Sequence, residues 1–226
     1  MTKEAEYEQA MGTYHRSVFY RNLGYVVSTL VVALQAVALF QLGWSSMTPA
    51  YLLVFVAAYV LTDFVNGFIH MIMDNNDDYT SVIGPLVAIF HRHHNHPRYT
   101  DHHPLVVYFF ENGMKNWLVP YMGLVVAFQA HLPAMLSFGL VSFGILSSVA
   151  EVSHYLCHNS IHPFVKLLQR SRILLDPVHH QAHHDEDNVR YAFLNGVSDP
   201  LLDAIARRMY TGYVGTTDVH SRDYYG

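Results

Sequence analysis

The chain has 226 residues, 51% hydrophobic and only 14% charged, against the ~25% charge of an ordinary soluble domain. A net charge of −5 with histidine neutral excludes the basic footprint of a nucleic-acid binder, and the single cysteine, Cys157, excludes an internal disulfide and a cysteine-built zinc site. Histidine is the outlier, with 17 residues against 13 Lys and Arg combined.

Four apolar blocks follow in chain order. The first, 23–44, reads LGYVVSTLVVALQAVALFQLGW and carries no charge. It is too long and starts too late for a secretory signal. The second, 49–73, holds one acid, Asp63. The third, 117–130, is short and reaches crossing length only if it starts near Gly113 or carries Pro120 as a kink. The fourth, 133–155, carries Glu151 near its end. A bilayer crossing needs ~20 mostly apolar residues. The chain therefore reads as an all-α integral membrane protein, one domain over 1–226, with four transmembrane helices. Buried helices of a soluble bundle are the competing reading, which four nearly uncharged stretches of this length disfavour.

The links between blocks one and two (SSMT) and three and four (HL) carry no Lys or Arg. All 13 basic residues fall on the other side of a four-crossing arrangement. The positive-inside rule makes that side cytoplasmic, together with both termini. The segment 161–175, IHPFVKLLQRSRILL, reads as an amphipathic interfacial helix.

The histidines sort onto the same face. His70 ends block two, His91 to His103 lie in the following loop, His154 and His158 end block four, and His179 to His184 come after it. On a helix, Asp63, Gly67, His70 and Asp74 in DFVNGFIHMIMD fall within roughly 60° of one face. Gly67 there permits close approach of a neighbour. His70 with Asp74, His154 with His158, His179 with His183, and His180 with His184 are i,i+4 pairs, a spacing that lets two side chains share a metal. So many imidazoles beside carboxylates predict a histidine-rich di-metal cap on the cytoplasmic face. Imidazole suits Zn, Cu, Fe and Ni, and more than six exceed the need of one tetrahedral zinc. Two metal ions are the natural count, and a nitrogen/oxygen shell without thiolate favours iron. The candidate ligands are His70, Asp74, His93, His94, His154, His158, His179, His180, His183 and His184. Asp63, His91, His96, His102, His103 and Glu151 are candidates to orient them. No catalytic residue is singled out beyond these.

The same residues carry a resemblance. His180-Gln181-Ala182-His183-His184 matches the HxxHH box of membrane fatty-acid desaturases and hydroxylases. More narrowly, DFVNGFIHMIMD, FHRHHNHP, HYLCH, FVKLLQRSRILLDPVHHQAHH and LNGVSDPLLDAI occur in the order of the motifs of the plasmanylethanolamine desaturase family, also called the Kua or lipid desaturase family, from about residue 63 to 205. Met71 replaces that family's Trp after the first histidine, Arg92 its acid before the paired histidines, and His96 its acid before the proline. The resemblance implies a di-iron lipid desaturase that uses O2 to form a double bond, in the named family a vinyl ether in an ether phospholipid. It implies a lipid substrate from the bilayer and an external electron donor, cytochrome b5-like or ferredoxin-like. No GxGxxG and no Fe–S cysteine set is present to supply electrons from within. A di-iron hydroxylase on the same scaffold, a zinc membrane hydrolase and a non-enzymatic metal-binding membrane protein are the alternatives.

Overall fold

The computed structural model describes residues 1–43, 48–95, 103–110, 115–160 and 162–212. Every regular element among them is helical: α1 (Lys3–Arg16), α2 (Val18–Gln41), α3 (Ala50–Asp74), α4 (Gly84–Asn95), α5 (Pro104–Phe110), α6 (Leu118–Phe128), α7 (Ala134–Asn159), α8 (Pro163–Arg170), α9 (Pro177–Asp185) and α10 (Asp199–Met209). Local signals explain the starts. Thr2 caps α1 by accepting from the Ala5 amide at 3.3 Å, with Glu4 and Glu6 in the positive first turn. Ser17 ends α1 and caps α2 through the Tyr20 amide. Asp176 accepts from the amides of Val178 and His179, and Pro177 opens α9 at the position where a missing N–H costs nothing.

Three helices are long and apolar enough to cross a bilayer: Val18–Gln41, Ala50–Asp74 and Ala134–His158. Their outward faces keep large apolar side chains exposed, among them Leu53, Val60, Leu136 and Phe40. These features fit an integral membrane protein. The third apolar block, expected to be the short one, does not form a single long α-helix. It forms the 11-residue α6 between two 3-10 turns, Lys115–Trp117 and Gln129–His131. An α-helix of that length spans only about 16 Å.

α3 packs chiefly on α7, and α6 lies against both α2 and α7. The seams carry small and amide side chains that hydrogen-bond between helices, as expected where apolar contact alone gives little association. Gln35 donates to the Gly144 carbonyl at 2.9 Å and to Ser148 Oγ at 2.7 Å, and Asn66 donates to Ser147 Oγ at 3.0 Å. A Cβ on Gly144 would fall 2.2 Å from Met122 Sδ, so the buried Met122 side chain would have to move to admit one at that crossing. Together the bundle brings the last turns of α3 and α7 to the same end, where α4 and α9 meet them. α8 is strongly amphipathic, with Phe164 and Leu167 exposed.

Candidate metal centre

The last turn of α3 supplies His70 and Asp74, α4 supplies His93 and His94, and α9 supplies His183. One ligand atom from each of these five buried residues lies within 4.8 Å of the others. His70 Nε2 is 3.0 Å and His183 Nε2 3.1 Å from Asp74 Oδ2, yet none of these three atoms is in hydrogen-bond geometry with any partner. Closeness without alignment means that the lone pairs converge on shared space rather than on each other. His94 Nε2 does donate to Asp74 Oδ1, at 3.1 Å.

A second group lies alongside. His154 and His158 of α7 and His180 of α9 bring three Nε2 atoms to 3.0, 3.1 and 3.3 Å from one another. Metal–nitrogen bonds of 2.0–2.1 Å place neighbouring ligand atoms roughly 3.0–3.4 Å apart, so the triangle fits a first coordination sphere. His184 joins the groups: its Nε2 is 3.1 Å from His180 Nε2, and its ring is 4.7 Å from that of His94. The rings of His93 and His154 are 5.0 Å apart. Both groups could hold a metal ion, side by side.

The electrostatics suit that role. Burial pushes His93, His94, His180 and His184 below the usual imidazole range, and for His93, His180 and His184 neighbouring imidazoles push the same way. Each is therefore held in the neutral form that binds metal. Backbone carbonyls choose the tautomer. His70 Nδ1–H donates to Tyr191 O at 2.8 Å, His183 Nδ1–H to Val189 O at 2.9 Å and His93 Nδ1–H to Phe90 O at 2.6 Å. In each ring the lone pair is left on Nε2, facing the group.

Several sequence candidates stand elsewhere. His179 is brought into neither group. It lies one turn before His183 on α9, and that rise carries it to the start of α10, where its Nε2 is 2.6 Å from Asp199 Oδ2. His91 is buried, but its nitrogens are engaged with the Met73 carbonyl and the Tyr79 hydroxyl, both at 2.8 Å. Asp63 accepts five hydrogen bonds from residues 194–198. Glu151 sits one turn before His154 and feels the Lys115 ammonium, which lies 4.1 Å over the Tyr108 ring. His103 is exposed and accepts from the Leu105 amide. His96 and His102 lie outside the described residues. Sequence reasoning missed the carbonyls of Val189 and Tyr191, the Tyr79 hydroxyl, and Phe193, which stacks on His154 at 4.1 Å. The only advance signal was the order of motifs around 194–205.

Helices apolar enough to cross a bilayer, two of them ending in His70, Asp74, His154 and His158, meet α4 and α9 to gather eight histidine and aspartate donors that could hold metal; together they define a membrane-type protein with a histidine-rich candidate metal site. Residues 59–211, more than half of the chain and all of both donor groups, match the model of the lipid desaturase domain. The chain belongs to the lipid desaturase family. Neither a curated protein nor a solved structure matches it significantly.

Proposed function

We propose that the protein is a membrane di-iron lipid desaturase that removes two hydrogens from adjacent carbons of a lipid chain, using O2, two external electrons and two protons, with two waters as the other product. An ether phospholipid, giving a vinyl ether, is the substrate we favour. The observation that carries this reading is the pair of adjacent donor groups within the matched domain, one with a carboxylate and one all imidazole. His70, Asp74, His93, His94 and His183 would hold one iron and His154, His158 and His180 the other, with His184 between them. When bound, the irons supply the activation of O2 needed to attack an unactivated C–H bond.

The chain's own residues do the rest. Burial keeps the imidazoles neutral and water away from the site. The helix ends hold the donors near the lipid, whose chain enters from the bilayer. Electrons come from a separate donor that docks on the histidine-bearing end. We also propose that the continuous helical run from the 3-10 turn at Lys115–Trp117 through α6 to Gln129–His131 makes the fourth crossing, which leaves both termini and the metal centre in the cytoplasm.

The test is metal analysis of purified protein together with lipid mass spectrometry of expressing cells. Two irons per chain and a lipid lighter by two hydrogens are expected. A lipid heavier by one oxygen would identify a hydroxylase instead. Stoichiometric zinc without iron in active protein would overturn the proposal.

A further inference from the structure

The chain between α9 and α10 is non-helical, yet residues 188–194 and Ser198 are almost all buried. Buried irregular backbone must find partners for every amide and carbonyl, and here the partners alternate in a pattern. The Arg190 amide donates to Asp203 Oδ1 at 2.7 Å, and the carbonyl of the same peptide unit, Val189 O, accepts from His183 Nδ1 at 2.9 Å. Two residues on, the Ala192 amide donates to Asp199 Oδ1 at 2.8 Å, and the carbonyl of that peptide unit, Tyr191 O, accepts from His70 Nδ1 at 2.8 Å. Each of the two imidazoles facing Asp74 Oδ2 is thus joined to a carboxylate through a single peptide group.

We propose that Asp199 and Asp203 are positioning residues for the metal centre, acting through two carboxylate–peptide–imidazole relays. This rests on the proposed metal role of His70 and His183. A carboxylate that accepts from an amide polarises the peptide and makes its carbonyl a stronger acceptor. A stronger acceptor at Nδ1–H makes Nε2 the better metal donor, as a carboxylate does when it touches a ligating histidine directly. The peptide group lets a charge act on the ligand while staying out of the crowded centre.

Two features hold the relays in place. Asp63 takes the amides of Leu194, Asn195, Gly196 and Ser198 at 2.8–3.2 Å and the Ser198 hydroxyl at 2.7 Å, fixing the chain just beyond the second relay. Gly67 lets the segment lie directly on α3, since a Cβ there would come within 2.9 Å of Ala192 Cα. Asp199 also meets His179 through its other oxygen. That contact lies outside the relay and provides a control.

The experiment uses Asp203→Asn and Asp199→Asn in the full chain. Asn keeps an acceptor oxygen of the same reach, so helical content and elution volume should match the parent while the charge is gone. The probe is Co(II), read by its ligand-field spectrum and by competition with a chelator. Each variant should bind Co(II) about 10–100-fold more weakly, the range for outer-sphere partners of metal ligands, with a shifted spectrum. His179→Ala should leave both readings near those of the parent. Parent-like affinity and spectrum in both Asn variants would overturn the relays while leaving the metal reading intact. A parent that takes up neither Co(II) nor Fe(II) would overturn both.

Discussion

The two donor groups are built on different principles. The group around Asp74 draws on three helices, includes a carboxylate, and has three of its imidazoles anchored by backbone carbonyls. The group of His154, His158 and His180 comes from two helices, and its Nε2 atoms meet one another. His180 Nδ1 is buried without a partner. The first group is set before a metal arrives. In the second, the spacing already suits an ion, but an arriving metal has to replace the contacts that the Nε2 atoms make with one another. A dinuclear centre made this way should load and unload unevenly, the first group holding its ion more tightly.

Replacing Asp74 or His183 with Ala strikes the anchored group and should have the largest effect. Activity should fall to background, since residues that act together in one centre give non-additive losses, and the iron of that group should be lost. His158→Ala strikes the half-buried edge of the other group. Iron counting should find about one ion per chain rather than two. Loss of both ions would show that the groups are not separable.

Asp63→Ala tests whether the anchored group depends on its backbone support. It leaves four amides without their acceptor, two of them fully buried, at about 3 kcal/mol in total. Thermal unfolding should show that loss, and chelator should strip the Asp74 group faster without changing release from the other.

Mild acid is a smaller perturbation with a defined sign. Burial lowers the His91 imidazole from its ordinary 6.5 to about 4. The unfolded chain therefore takes a proton there that the folded chain refuses, so this contribution to stability is complete above pH 6.5 and is lost as pH falls toward 4. Denaturant titrations of metal-free protein from pH 7 to pH 4.5 should show stability falling with pH. A flat profile would contradict the neutral His91 that braces the anchored group. His131→Ala, in the exposed turn after α6, should change iron content and activity by less than the scatter of the assay.

Much of the site could be read in the sequence, because helical periodicity says which residues share a face. His70 with Asp74 and His154 with His158 are such cases: each pair ends a long apolar helix. Periodicity does not say what each turn of a short helix meets. His179 and His183 share a face of α9, yet one turn points to Asp199 and the other to Asp74. The partners of Asp63 lie more than 130 positions away in irregular chain, where no period exists to detect. The block at 117–130 is legible only in part: its composition matches a crossing, but its regular α-helix covers 118–128, with 3-10 turns continuing it at both ends.

His91 shows what an imidazole does when it is kept out of a metal site. It stands among strong donors on α4, but the Met73 carbonyl and the Tyr79 hydroxyl take up both of its nitrogens. A cluster this rich in histidine would otherwise offer surplus coordination modes, and with them mis-metallation or a third ion. On the proposed reading, a phenol that touches no ion helps to limit how many the centre admits. Drift at position 79, between two motifs of the family and part of neither, would then change metal selectivity while every ligand stays the same.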